Sequence, residues 1–265
     1  MSNTRQYPQT EGVFIPGNRG RLFSTVYLPA GGPAPVVIVC HGLPGIEKMI
    51  DYAHALREAG FAVVCFHYSG SWGADGTFSV GHCLEDADSV IDYVAANANS
   101  WFNTDNVFVI GHSLGGLVAS YAIASRPEIK GGVVIMPANI AAHYRAALTD
   151  PAVEVDSEQL YSVEFGEWLN GFNWDVMKRE AAEDASRFDL CTYGVRMADK
   201  DVLLIAGARD FLLPEAENLG LLRSQIEAQG KGKLQYLSFD TDHGMNTCRD
   251  AIKQSLIAFC RGAMD

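Results

Sequence analysis

The sequence lacks the features that mark membrane-spanning, exported and nucleic-acid-binding chains. No apolar run in the 265 residues approaches the length of a membrane-spanning helix. The first eight residues contain no apolar segment of the kind found in signal peptides. Lys and Arg number 20 against 32 Asp and Glu, which gives a formal net charge of −12. Such a charge disfavours nucleic acid and anionic membranes, so we expect neither as a partner.

The sequence has few cysteines, and no two of them are close together in the chain. The six occur at positions 40, 65, 83, 191, 248 and 260, without the spacing of a disulfide framework or a metal site. Internal repeats and low-complexity tracts are also absent. The sequence therefore predicts reduced thiols in a cytoplasmic protein, with no bound metal and no other cofactor.

What the sequence does contain is a short motif in which a serine lies between two glycines. Gly111-His112-Ser113-Leu114-Gly115 follows the apolar run 106–110 and precedes a helical stretch at 116–124. A turn that joins a strand so sharply to a helix strains the serine backbone, and a Cβ at Gly111 or Gly115 would collide with the crossing chain. The hydroxyl of Ser113 is then exposed above the sheet, and we predict that it is a nucleophile.

Short apolar runs alternate with helical patterns along most of the chain. Runs that are apolar throughout are typical of strands covered on both faces, and hence of a mainly parallel sheet. The order of strand, helix and strand predicts an α/β fold with a doubly wound sheet. Strands are predicted at 20–28, 35–40, 61–66, 106–110, 132–136, 201–206 and 233–239, and helices at 47–59, 83–97, 114–125, 215–229 and 245–261.

One long segment interrupts this alternation. Between residues 138 and 198 the sequence has helix formers and aromatic residues but no convincing strand. We predict a mainly helical cap there, over a core formed by 1–137 and 199–265, with Trp168, Phe172 and Trp174 in the substrate pocket. One alternative is a crossover helix with a long disordered loop. Another is that the three rings form the cap's own core.

A serine hydroxyl is a poor nucleophile at neutral pH and needs a base within hydrogen-bond reach. Two histidines follow Ser113 in the chain. His243 lies in a loop between the last predicted strand and the last helix, where its ring can turn back toward the serine. His143 lies in the predicted cap and is the alternative. We predict that His243 is the base.

The base in turn needs a carboxylate that orients it. Asp210 follows the predicted strand 201–206 in a glycine-containing turn, where a carboxylate can be partly buried and directed at an imidazole. Asp240 and Asp242 are alternatives because they are close to His243 in sequence, although both can simply shape the turn. We predict that Asp210 is the orienting acid.

An oxyanion formed on the substrate needs two backbone N–H donors. The residue after the nucleophile, Leu114, supplies one at the positive end of its helix. The loop 41–45 follows a predicted strand, and Pro44 within it cannot donate. Leu43 is therefore the predicted second donor, and His41 is interpreted as a structural hydrogen-bonding residue.

Taken together, these motifs resemble those of the α/β-hydrolase superfamily, and above all esterases of its cinnamoyl-esterase and prolyl-oligopeptidase-like branches. In that superfamily the chain order is serine, acid, histidine, which Ser113, Asp210 and His243 follow. Dienelactone hydrolases are similar in outline but have a cysteine nucleophile. Esterases of the cinnamoyl-esterase and prolyl-oligopeptidase-like branches usually have Arg where this chain has Ser69, so any salt bridge made by that Arg is missing here. The matching segments are 41–45, 68–76, 111–116, 207–210 and 242–244.

The resemblance implies a serine hydrolase whose partner is a small-molecule ester. The expected reaction is cleavage of carboxylic esters of small to medium acyl groups through an acyl-enzyme intermediate. A peptidase or amidase of the prolyl-oligopeptidase type is the second interpretation. The third is a binding protein with the hydrolase fold and no catalysis, which the retention of all three triad residues disfavours.

Overall fold

The structure is a computed structural model that describes residues 4–46, 49–230 and 232–264. Within these residues eight strands form one sheet, in the spatial order β1-β2-β4-β3-β5-β6-β7-β8. Strand β2 is antiparallel to both of its neighbours, β1 and β4. The six strands β4, β3, β5, β6, β7 and β8 run parallel to one another. The strands are β1 Gln9–Gly17, β2 Gly20–Leu28, β3 Ala34–Cys40, β4 Ala62–Phe66, β5 Phe102–His112, β6 Ile129–Ile135, β7 Asp201–Gly207 and β8 Leu234–Phe239.

Helices cover both faces of the sheet, as the continuous apolar runs predict. In β3, Val37 and Val39 pack with the buried side chains of α1 and α9, whereas Val36 and Ile38 pack with those of α2, α3, α7 and α8. This alternation follows from the two-residue period of a strand. The helices are α1 Ile50–Glu58, α2 Val80–Ala96, α3 Leu114–Ser125, α4 Ile140–Thr149, α5 Pro151–Ser157, α6 Trp174–Glu183, α7 Leu190–Met197, α8 Leu219–Gln229 and α9 Arg249–Gly262.

The α/β fold class predicted from the sequence is confirmed. Helix boundaries differ by a few residues. Helix α2 begins three residues before the predicted start because the Ser79 side chain accepts a hydrogen bond from the backbone N–H of His82 and caps it. Helix α8 begins after a 3₁₀ turn at Glu215–Glu217. Positions 47 and 48 of the helix predicted at 47–59 lie outside the described residues.

The segment between β6 and β7 is helical. Helices α4, α5, α6 and α7 lie here, with a π-helical turn at Glu158–Glu164 and a 3₁₀ turn at Ala185–Phe188. Helix α7 packs against α3 and α8, so the end of the segment joins the helix layer of the core. The division into a core and a cap at 137 and 199 stays a prediction.

Hydrogen bonds attach this helical segment to the loop after β4. The Asn170 N–H donates to the carbonyl of Gly70, and the Phe78 N–H donates to the carbonyl of Asn170, both at 2.8 Å. The carboxylate of Glu180 accepts bonds from the hydroxyl of Ser79 and the N–H of Val80, at the start of α2. A carboxylate at a helix N-terminus also meets the positive end of the helix dipole, so the contact stabilises both partners.

Candidate active site

Ser113 occupies the turn that the glycine spacing predicts. Its backbone has φ 59° and ψ −124°, a conformation that a non-glycine residue adopts only under strain. A Cβ at Gly111 would overlap the carbonyl oxygen of Gly115, and a Cβ at Gly115 would overlap that of Cys40. The packing around the turn therefore requires glycine at both positions, as the sequence motif predicts.

His243 and Asp210 meet at the carboxyl end of the sheet. The Nδ1 atom of His243 lies 2.7 Å from Oδ2 of Asp210, whose side chain is only 1% exposed. The other carboxylate oxygen, Oδ1, accepts hydrogen bonds from the N–H groups of Leu212 and Leu213. Those bonds hold the carboxylate in place, so one of its oxygens stays directed at the imidazole.

The alternative acids and the alternative base have other partners. Asp240 forms an exposed ion pair with Arg209 at 2.8 Å. The Asp242 carboxylate accepts hydrogen bonds from the backbone and side chain of Asn246, which lower the pKa of this carboxyl. The Nε2 atom of His143 lies 2.8 Å from the hydroxyl of Ser157. Of the acids considered, the structure brings Asp210 to His243.

His112, the residue before the serine, supports His243 from its backbone side. Its Nε2 atom lies 2.8 Å from the carbonyl oxygen of His243, and the two rings lie 4.6 Å apart. Burial, together with the His243 ring, lowers the pKa of His112 to about 3. The ring is therefore neutral near pH 7, and its Nε2–H donates to the carbonyl. The sequence motif gave no indication of this contact.

The loop after β3 comes close to the serine. A Cβ built on Gly42 would lie 2.9 Å from the Cβ of Ser113 and 3.4 Å from its Oγ. Nδ1 of His41 lies 2.8 Å from the carbonyl oxygen of Gly42. Because C=O and N–H point in opposite directions across a trans peptide, this bond fixes the direction of the Leu43 N–H. His41 is thus a structural residue, as its position at the strand end indicates.

A cavity of about 230 Å³ lies beside the serine and the loop after β3. Ser113, His243 and both predicted oxyanion donors, Leu43 and Leu114, line it. Its remaining walls are mostly apolar and come from the same loops and from the helical segment: Gly42, His112, Ala138, Ile140, His143, Leu160, Tyr161, Phe165, Leu212, Leu213 and Gly244. The structure therefore gathers the predicted triad and both backbone donors at the carboxyl end of the sheet.

The three aromatic residues predicted for the pocket lie elsewhere. Trp174 is fully buried and stacks on Tyr161, and Phe172 packs edge-on against Phe78. Trp168 is half exposed and stacks on Trp72, with ring centroids 5.5 Å apart. None of the three lines the cavity of Ser113, because their rings are used to pack the helical segment onto itself and onto the core.

Tyr161 and Phe165 line the cavity instead, and the sequence analysis missed them as pocket residues. They are four residues apart on and just after the π-helical turn. Residues at that spacing share one face of a helix. Trp168 and Phe172 have the same spacing, so the sequence alone does not separate the cavity residues from the packing residues.

Trp72 is another residue that the sequence did not single out. Its indole Nε1–H donates to the carbonyl of Pro44 at 2.6 Å, in the loop that carries Leu43. The Trp72 ring also stacks on the ring of Trp168, in the helical segment. Trp72 thus links that segment to the loop beside Ser113.

Ser69, at the start of the Gly70 loop, has a buried partner. Its backbone N–H and its hydroxyl donate to the two oxygens of Asp86, at 2.7 and 2.9 Å. Asp86 is fully buried, and burial raises the pKa of its carboxyl. A buried hydrogen-bonded pair therefore lies at the start of the Gly70 loop.

No group of three or more His, Cys, Asp or Glu side chains in the described residues is arranged to hold a metal ion. Among the same residues, no helix has both the length and the apolar character needed to cross a bilayer.

Residues 31–162 match the model of a family described as serine aminopeptidase, S33. An esterase from Pyrococcus furiosus has a similar structure, with a TM-score of 0.73 and 17% sequence identity, over 96% of this chain and 91% of that one. An acylaminoacyl peptidase from Pyrococcus horikoshii gives a TM-score of 0.70 and 16% identity, over 96% of this chain and 41% of the peptidase. At sequence identities of 17% and 16%, these two similarities show only that the fold is shared.

A shorter match links the chain to an uncharacterised 31.7 kDa protein from Escherichia coli. The two are 34% identical over 101 residues, which make up 36% of this chain and 35% of the relative. The chain therefore matches about a third of the length of this curated relative.

Proposed function

The chain belongs to the α/β-hydrolase superfamily, and from this premise we propose that it is a serine esterase. The proposed substrates are carboxylic esters, cleaved through an acyl-enzyme intermediate. The observation that carries the proposal is the cavity that strained Ser113 and His243 both line, with buried Asp210 2.7 Å from the imidazole. Membership of the superfamily supports a hydrolase, and the choice of esters as substrates is our proposal.

In the proposed reaction, Oγ of Ser113 attacks the ester carbonyl while His243 accepts the hydroxyl proton. The imidazolium that forms is stabilised by the carboxylate of Asp210 and passes the proton to the leaving alcohol. Water then attacks the acyl-enzyme, with His243 again acting as the base. Because Asp210 faces Nδ1, the other ring nitrogen, Nε2, is the one left to exchange protons.

The N–H groups of Leu43 and Leu114 are assigned as the donors that stabilise the negative charge developing on the carbonyl oxygen. Both residues line the cavity of Ser113, and His41 fixes the peptide that carries the first donor. Donors that are held in position before the reaction stabilise an oxyanion without reorganisation during the step. The apolar walls of the cavity keep water away from this charge and strengthen the interaction.

A rate assay on para-nitrophenyl esters, run beside aminoacyl anilides, tests the assignment. We expect turnover of the esters, with His243 as the base that accepts the proton of Ser113. His243→Ala should lower turnover by roughly a thousandfold or more without loss of folding. His143→Ala is the matched control. If His143→Ala causes the larger loss, the base lies in the helical segment instead.

The second candidate is a peptidase or amidase, favoured by the family description and by the structural likeness to an acylaminoacyl peptidase. The same assay separates the two, because turnover of anilides above that of esters would assign the amide reaction. A chain that turns over neither, and whose Ser113→Ala variant binds esters no differently, would instead be a binding protein.

A further inference from the structure

A second cavity adjoins the cavity of Ser113. It has a volume of about 710 Å³, against about 230 Å³ for the first. The two share four wall residues, His143, Leu160, Leu212 and Leu213. Ligand sites in proteins commonly have volumes of about 300–1,000 Å³, so the larger cavity falls within that range and the smaller one below it.

The second cavity contains none of the catalytic groups proposed above. Ser113, His243 and the two oxyanion donors all lie in the smaller one. A substrate that reacts at Ser113 can therefore occupy the larger space only with a part remote from the ester bond. Contacts with a non-reacting part of the substrate contribute binding energy that an enzyme can use in the transition state.

The walls of the second cavity define the chemistry of that remote part. Ala142, Ala146, Val153 and Leu221 make them apolar, together with the shared leucines. Asp156 and Glu217 lie at exposed positions on the lining, and among the described lining residues there is no Lys or Arg. An apolar chain is suited to such walls, whereas an anionic end group meets carboxylates without a compensating cation.

We infer that the substrates are elongated esters, in which an uncharged apolar chain passes the four shared residues and fills the second cavity. This inference rests on the proposed esterase function and names the substrate class of that same site. It differs from the small to medium esters that the resemblance implies, because one side of the ester is a long chain. The chain can belong to the acyl or to the alcohol side of the ester, and the assays below separate these two sources.

Two series of substrates test the inference. The first series holds the alcohol constant as para-nitrophenol and lengthens the acyl group from acetate to decanoate. The second holds acetate constant and lengthens the alcohol. In one of the two series we expect kcat/KM to rise about tenfold or more with chain length, since each well-placed apolar contact discriminates by about 10- to 200-fold. A flat or falling profile in both series would overturn the inference.

Substitutions in the second cavity locate the effect. Ala146→Trp and Ala216→Trp fill it from two different elements, α4 and the 3₁₀ turn Glu215–Glu217, at exposed positions where a larger side chain does not disturb the core. Each should reduce the decanoate-to-acetate ratio of kcat/KM, or the equivalent ratio in the alcohol series, about tenfold. Leu148→Trp, at an exposed position of α4 outside both linings, is the matched control. Equal ratios in all three variants would contradict the inference.

Charge and binding provide two further readouts. An ester whose long chain ends in a carboxylate should be a poorer substrate than the uncharged ester of the same length. In the Ser113→Ala variant, titration with 1-decanol followed by calorimetry should show binding that Ala146→Trp weakens and Leu148→Trp does not. If short esters are hydrolysed and decanol does not bind, only this inference fails. If Ser113→Ala leaves ester hydrolysis intact, the proposed function fails first.

Discussion

His243 is held at two of its atoms by residues from different parts of the chain. Its Nδ1 faces Asp210 in the loop after β7, and its carbonyl oxygen accepts a bond from His112 at the end of β5. The first contact orients the ring, and the second fixes the loop that carries it. The imidazole of His243, which lines the same cavity as Ser113, is thereby held by side chains that are far apart in sequence.

Replacing Asp210 with Asn should keep the fold and lower kcat on esters on the order of a hundredfold or more. The amide leaves the shape intact but favours the wrong tautomer of His243. Steady-state kinetics measure the loss, with circular dichroism to verify folding. Asp240→Asn and Asp242→Asn are the matched controls, because their carboxylates bind other groups. A fully active Asp210→Asn protein would transfer the role to one of them.

His112 should make the protein sensitive to acid. Burial lowers its pKa from 6.5 to about 3, so the unfolded chain binds this proton at a higher pH than the folded one. Stability from this group is therefore complete above about pH 6.5 and is lost as the pH falls toward 3.

Urea unfolding of the native protein and of His112→Gln, at pH 8 and at pH 4, measures this effect. We expect the difference in unfolding free energy between the two proteins to shift in favour of His112→Gln at the lower pH. The difference at pH 8 serves as the internal reference, because it contains only the loss of packing and of the hydrogen bond to His243. A difference that is the same at both pH values would contradict the account.

At the scale of single residues, most of the candidate site could be predicted from the sequence. The glycines around Ser113 report a backbone collision, and such a steric requirement is local enough to be visible in five residues. Asp210 and His243 were indicated by their positions in loops that directly follow predicted strands, which is also a local feature of the sequence. His112 could not be assigned its role, because its partner is 131 residues away and no local pattern records that contact.

Among the elements, the loops after β3 and β4 form one connected unit. The Trp72 indole donates to the carbonyl of Pro44 and stacks on Trp168, so the helical segment, the Gly70 loop and the loop of Leu43 are joined at one side chain. Trp72 itself has φ 45°, which is unusual for a large side chain. Its strained position is consistent with a role in positioning the loop.

Trp72→Phe should lower kcat on a short ester by about three- to tenfold with little change in KM. Phenylalanine keeps a ring against Trp168 but lacks the N–H, and one hydrogen bond contributes about 0.5–1.5 kcal/mol. Trp168→Leu removes the stacking and leaves that bond, so it is the control in steady-state assays. If the two variants lose the same share of kcat, or Trp72→Phe loses none, the hydrogen bond does not position the loop.

The elements themselves were predictable where their burial is one-sided or complete. Strands β3 and β5 read as continuous apolar runs because both of their faces are covered. Strand β1 was missed because it lies at the sheet edge and most of its residues are exposed, so no hydrophobic period marks it. In the helical segment, aromatic content predicted packing, but it does not reveal which rings face a cavity. That choice depends on tertiary contacts such as those of Trp174 with Tyr161.

For the whole molecule, the parallel sheet determines where chemistry can occur. The loops that carry Leu43, Ser113, Asp210 and His243 follow β3, β5, β7 and β8, and the carboxyl ends of these parallel strands lie at one edge. The helical segment between β6 and β7 adds Tyr161 and Phe165 as walls over that edge. The fold thus brings residues from the whole length of the chain to a single cavity.

Covalent labelling with a fluorophosphonate probe tests the central claim most directly, because an activated serine attacks phosphorus as it attacks a carbonyl carbon. We predict one label per chain, located at Ser113 by peptide mass spectrometry, and no label on Ser113→Ala. The His243→Ala protein should label much more slowly than the native one. Labelling that persists in Ser113→Ala, or a native protein that does not react at all, would contradict the assignment of Ser113 as the nucleophile.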